Sequence, residues 1–195
     1  PPLELRGEVL RSVFADPDAY VYRRVRVEGT FEPSSELVLR GRAYQGNPGV
    51  NLVTPLYLQD GSATVLVNRG WVASADASTV DPRPFQEPGV RIIEGILQPI
   101  GTSDGREAWI DVNGIPVRTM QRLDQRTLSG VGDAALLPLL VQQVTPAATS
   151  ESSPRRLPPP TIDRGPHLGY ALQWFSFAAI AVLGFGLMLH LSRRT

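Results

Sequence analysis

The chain has no cysteine among its 195 residues. That excludes a disulfide framework, a Cys-based zinc site, c-type haem attachment and a thiol nucleophile. It has no lysine either, so all 19 basic side chains are arginine, balanced by 19 acidic ones. A net charge of zero points away from nucleic acid as a partner. Arginine in place of lysine, with 18 prolines and 18 glycines, is the composition of a GC-rich genome. There are only two histidines, His167 and His190. HExxH and multi-histidine metal sites are thereby excluded, and a Ser-His-Asp triad would need a histidine from the terminal apolar segment. No P-loop, no dinucleotide GxGxxG after a strand and no GxSxG occurs. Asp60, Glu94 and Asp111 show no acid–base spacing. The reading is a non-enzymatic binding or scaffolding module.

What is present alternates at period two. In "RRVRVEGTF", Val25, Val27, Gly29 and Phe31 share one face, which predicts a half-buried strand. "SSELVLRGR" repeats the pattern with Leu37 and Leu39, and "GNPGV" reads as a loop. Two strands flank the turn Asp60-Gly61-Ser62, the second of them (64–72) almost continuously apolar and therefore the most buried. "VRIIEGILQP" and "LPLLVQQVTP" predict further strands. Asn113-Gly114 predicts a hairpin turn whose second arm, with Pro116, lies at an edge. Short helices are expected over 5–14 and 120–129, the latter with Met120, Leu123 and Leu128 inward. Six or seven short strands with one or two short helices define a β-dominated (α+β) domain, for which a small barrel is one closure.

The domain spans 1–146. A Ser/Pro-rich, extended linker follows at 147–166. Residues 167–191 read as a transmembrane helix and 192–195 as a cytoplasmic tail. Gly169 to Leu191 carries no formal charge and reaches about 34 Å as a helix, enough for a hydrocarbon core of about 30 Å. Tyr170 and Trp174 stand at the entry, and Arg193 and Arg194 follow the exit. The positive-inside tendency places the C-terminus in the cytoplasm and the domain outside. His190 reads as an interfacial residue. The chain begins at Pro1, so a signal peptide or a first membrane helix upstream is an expectation.

Two motifs carry the chemistry. On a helix His167, Tyr170 and Trp174 fall at i, i+3 and i+7, on one face with Ala178 and Ala181. A neutral imidazole there can ligate haem iron axially, with the aromatic rings as a wall. The same residues also serve as plain interfacial anchors. The second motif is Asn68, Arg69, Gly70 and Trp71. Asn68 can bond backbone locally, Gly70 suits a bulge or close approach, and Trp71 suits the core. Arg69, beside a buried strand, needs a carboxylate, a carbonyl cluster or a propionate. It either fixes the sheet, with Asp60 or Glu94 as partner, or faces a partner molecule.

"VTPLYLQDGSATVLVNRGWV" (53–72) and "HLGYALQWFSFA" (167–178), in this order after "YRRVRVEGTF" (22–31), resemble the surfeit locus protein 1 family. "VRIIEGIL" is similar to a further family strand. After residue 101, "WIDVNGIPVRTMQRLDQRT" replaces the Asn- and Trp-containing segment of familiar members. The resemblance implies a bacterial plasma-membrane protein with two membrane helices, the first upstream of this chain, bracketing one extracytoplasmic domain. It implies a chaperone of cytochrome c oxidase assembly in the respiratory chain, delivering or inserting haem a into subunit I. The cofactor implied is haem a, held transiently. Implied partners are oxidase subunits, haem a synthase, a respiratory supercomplex and the lipid bilayer. The competing expectation is a structural accessory subunit that stays bound to the oxidase without touching haem.

Overall fold

The structure is a computed structural model that describes residues 1–102, 106–126, 128, 131, 134–144, 153–158 and 167–194, His167 by its main chain alone. It divides into two compact units, Pro1–Pro159 and Pro160–Thr195.

The first unit begins with β1 (Leu3–Glu4), α1 (Gly7–Ala15), β2 (Arg24–Phe31) and β3 (Leu37–Tyr44). It continues with β4 (Asn47–Leu58), β5 (Thr64–Ala73), β6 (Val90–Pro99), β7 (Ala108–Val112), β8 (Ile115–Met120) and β9 (Leu136–Gln143). Five of these strands close on themselves in the order β2, β6, β9, β5, β4 and back to β2. All seams are antiparallel except β5 with β9, which is parallel. The result is a five-stranded Greek-key barrel, the architecture of OB-folds. The closing seam is short: Gly29, Thr30 and Phe31 against Leu58, Tyr57 and Leu56. A Cβ at Gly29 would lie 2.2 Å from the Tyr57 carbonyl oxygen, so glycine lets the two backbones meet.

Alternation sorts the side chains. Val25, Val27, Phe31, Leu56, Val65, Val67, Ile93, Leu97 and Val141 fill the barrel, and α1 adds Leu10 and Val13. Residues of opposite parity, Val53, Leu66 and Leu140, face outward and are covered by Leu37, Leu39, Met120, Leu123 and Leu128. Both faces of β5 are thus buried, in keeping with its apolar run. The barrel has no edge along this wall; the extension through β3, β8 and β7 leaves β7 outermost.

Three local expectations change. "GNPGV" is not a loop: the turn is confined to Gln45 and Gly46, both at positive φ, and β4 begins at Asn47. Nor does a helix run from Met120, which ends β8. The described residues after it form bends, a bridge from Asp124 to Gly101 and a turn in which Asp124 accepts from the Arg126 N–H at 3.0 Å, and Ser129 lies outside the described residues. An aspartate bonding its own backbone competes with helix there. Leu123 and Leu128 are nonetheless buried. Finally, β8 is not an edge strand, since it pairs with β7 and β3. Pro116 is tolerated because the β3 pairing uses only Arg118–Met120.

Residues 153–158 are docked on the barrel. Arg155 pairs antiparallel with Trp71, its N–H donating to the Trp71 carbonyl at 2.7 Å and its carbonyl accepting from the Trp71 N–H at 2.8 Å. The second unit contains α2 (His167–Ser192), 26 residues. Its stretch Leu168–Ser192 has a mean hydropathy of 1.9 and no buried side chain, so by length and composition it can cross a membrane.

Candidate functional site

The site is built at the C-terminal end of β5. Val65 and Val67 point into the barrel, and at the same parity so does Arg69. Its guanidinium carbon stands 5.0 Å from the centre of the Phe31 ring, closing the apolar interior with a charge. The side chain is 1% exposed. Such a charge is stable only if paired and hydrogen-bonded. Nη1 donates to Glu36 Oε2 at 2.8 Å and to Thr54 Oγ1 at 3.3 Å. Nη2 donates to Glu87 Oε1 at 2.9 Å and to the Phe85 carbonyl. Thr54 donates to Glu36 in turn. Arg156, from the docked segment, donates from Nη2 to Glu87 Oε1 at 2.8 Å and from Nη1 to the Arg69 carbonyl.

Two arginines and two glutamates therefore form one buried network joining the barrel wall, the loop after β5 and the strap at 153–158. Their electrostatics differ. Burial pushes the Glu36 carboxyl above the usual range despite Arg69. Glu87 is also desolvated, but hydrogen bonds and charge from Arg156 and Arg69 outweigh burial and hold it below. Burial lowers the pKa of Arg156, with Glu87 opposing.

Asn68 and Gly70 shape this turn of chain. Asn68 Oδ1 accepts from the Gly70 N–H at 3.1 Å, and the β4–β5 register shifts between Leu52 and Val53. Gly70 has φ +125°, and a Cβ there would lie 2.3 Å from the Arg155 carbonyl oxygen. Close approach of the strap thus requires glycine, as the motif suggested. Trp71 is buried, its ring 5.7 Å from Tyr44, and Arg155 lies 4.9 Å over the other ring, Tyr44. Asn68, Arg69, Gly70 and Trp71 each have a structural task here.

Neither partner expected for Arg69 is used. Asp60 is engaged in its own turn, accepting from the Ser62 N–H at 3.0 Å. Glu94 follows Ile93, an interior residue of β6, and so faces the other side of the strand. The true partners, Glu36 and Glu87, lie 33 and 18 residues from Arg69 in sequence. Glu36 precedes an apolar strand and Glu87 sits in a Pro-rich loop; only the need of a buried arginine for two acceptors pointed towards them.

On α2, His167 is the first residue, and its side chain lies outside the described residues. Tyr170 and Trp174 are exposed, and Trp174 meets Phe177 edge-on at 6.2 Å. Among the described residues no group of His, Asp and Glu is arranged to hold a metal ion.

Together these features define a small β-barrel protein with a strapped barrel wall and a terminal helix of membrane-spanning length. The SURF1 family matches residues 1–179, and the chain belongs to that family. A SURF1-like protein of Mycobacterium tuberculosis is 28% identical over 187 residues, 95% of this chain and 66% of the relative. A SURF1-like protein of Monosiga brevicollis is 28% identical, covering 83% of this chain and 64% of the relative. The Surfeit locus protein 1 of Takifugu rubripes is 23% identical, covering 85% and 72%. The chain thus spans about two thirds of the length of the mycobacterial relative it matches.

Proposed function

We propose that this protein is an assembly factor for haem-copper cytochrome c oxidase, acting from the membrane on haem a delivery to subunit I. The observation that carries the reading is membership of the SURF1 family, whose match runs through the barrel and into the first half of the helix. The apolar helix, long enough to cross a bilayer, supports residence in a membrane; in this reading the membrane is the plasma membrane and the barrel is extracytoplasmic, the side that the arginines after the helix favour. In this reading haem a is cargo. Tyr170 and Trp174, exposed one and two turns beyond His167, would offer rings for a flat apolar macrocycle to lie on, and His167 would supply a nitrogen ligand for its iron. Asn68, Arg69, Gly70 and Trp71 act indirectly, by holding the strap at 153–158 against β5. Oxidase subunits, haem a synthase and a respiratory supercomplex are the partners this role requires.

Deleting the gene tests the reading. The expected result is loss of haem a and of oxidase activity from membranes. Normal oxidase in its absence, with the protein present in stoichiometric amount on the wild-type complex, would replace it with a structural accessory subunit. Haem contact is tested separately by Soret absorbance of the purified full-length chain and its His167→Ala variant. Haem bound to the first and absent from the second is expected; equal loading reduces His167 to an anchor.

A further inference from the structure

Adjacent residues of one motif point to opposite faces of β5. Arg69 enters the barrel, and Asn68 faces outward with Leu66. The outward side is a groove of about 480 Å³, within the range of small-molecule sites. Four carboxamides line it: Asn51, Asn68, Gln98 and Gln142. Three of them are deeply buried, Asn51 at 5%, Asn68 at 6% and Gln142 at 7% exposure. Gln142 is held on one side by Gln98 and on the other by the strap, donating to the Pro158 carbonyl at 2.9 Å. Asn51 is different. Its Oδ1 is buried in the groove without a partner.

The rim carries two cations, and among the described residues the lining holds no acid. Arg42 and Arg122 both line the groove. Arg42 donates to the Gln121 carbonyl at 2.8 Å, and neither arginine has a carboxylate partner among the described residues. Burial and the positive charge of Arg122 lower the pKa of Arg42, a penalty that a bound counter-ion relieves. Leu39, Leu123, Leu140 and Leu157 supply apolar floor and wall.

We propose that this groove binds an anionic amphiphile, with its carboxylate or phosphate on Arg42, Arg122 and the carboxamides and its apolar body on the leucines. Planar guanidinium groups suit both oxyanions. Asn51 adds an amide N–H to the lining, a donor from which an oxyanion can accept. An uncharged apolar ligand would leave the two arginines unneutralised, which favours an anion.

The test uses the full chain in phosphatidylcholine nanodiscs, ¹⁵N-labelled, reading the side-chain amide signals of Asn51, Asn68 and Gln142. Octanoate and octyl phosphate should move these signals saturably, and octanol should not. The Arg42→Gln/Arg122→Gln variant, altered at rim positions outside the core, should bind both anions about tenfold more weakly or worse. Signals that ignore both anions, an equal response to octanol, or unchanged affinity in the double variant would each overturn the proposal. Exchanging the discs for phosphatidylglycerol separates the sources. Shifts without added probe identify a lipid headgroup; shifts only with the soluble anions identify a soluble ligand.

Discussion

Along β5 every residue from Thr64 to Val72 is buried by other parts of the same chain. Along α2 the apolar side chains from Leu168 to Leu191 are almost all exposed. Both segments are rich in hydrophobic residues, so composition does not separate them. Period does. On β5 the two faces meet two different cores, and one charge, Arg69, is admitted where the barrel ends. On α2 apolar residues cover the whole circumference, and among the described residues of the second unit none buries them. The strand obtains its environment from the fold and can therefore accommodate an arginine with four acceptors. The helix suits a hydrocarbon environment, which supplies no acceptors, and it carries no formal charge until Arg193.

The largest effect comes from breaking the charged end of the barrel. Arg69→Ala leaves Glu36 buried without a cation and Glu87 with Arg156 alone. We expect a loss of about 3–5 kcal/mol of stability, the cost of breaking a buried pair from one side. Urea unfolding of the full chain, followed by fluorescence of buried Trp71, reads it. A loss below about 1 kcal/mol would show that the network is ornamental and that β5 does not depend on its charge.

Placing a charge on the helix is the converse experiment. Ile180→Arg puts a guanidinium near the centre of α2, at a residue 66% exposed. Membrane insertion should weaken by about 2.5–3.5 kcal/mol, seen as protein lost from the membrane fraction to the soluble or degraded pool. The urea midpoint of the barrel should not change. Full membrane retention would mean that other protein, rather than lipid, surrounds this face.

A smaller effect is expected at Gly70, which sharpens the comparison by probing the strap. Gly70→Ala brings a methyl group against the Arg155 carbonyl and strains a φ of +125°. About 1–3 kcal/mol should be lost, and trypsin should cut faster after Arg155 and Arg156 as the strap leaves β5. Unchanged cleavage would show that the strap is held from elsewhere.

How much of this was legible in sequence follows the range of the interactions. Strands announced by alternation, the turns at Asp60-Gly61 and Asn113-Gly114 and the uncharged helix were readable because each signal is contained in a few neighbouring residues. The barrel was one option among several, because its closure rests on three residue pairs between β2 and β4. The motif 68–71 was readable as important but not as a mechanism. Its partners Glu36, Glu87 and Arg156 come from three separate segments, and one of them lies in a stretch whose composition resembles free linker. The helix expected from Met120 failed for a local reason: Asp124 turns its side chain back on the backbone.

The smallest effect, and the finest test of the charged end, is pH. Glu36 has a folded-state pKa raised above its ordinary value of 4.5, so the folded state holds that proton more tightly than the unfolded one. Its contribution to stability is present below about pH 4.5 and declines as pH rises through the raised value. Glu87 is shifted the other way from the same 4.5. Its contribution is present above about pH 4.5 and is lost as pH falls through the lowered value. Substituting each in turn separates two slopes that oppose each other in the parent protein. Relative to the parent, Glu36→Gln should gain stability as pH rises from about 4 to 7, because the variant no longer ionises a buried carboxyl. Glu87→Gln should converge on the parent at the acid end and fall behind it above about pH 4.5. Urea midpoints at four or five pH values suffice. Parallel curves for the two variants would mean that Arg69 and Arg156 treat both carboxylates alike, and that burial depth does not divide their roles.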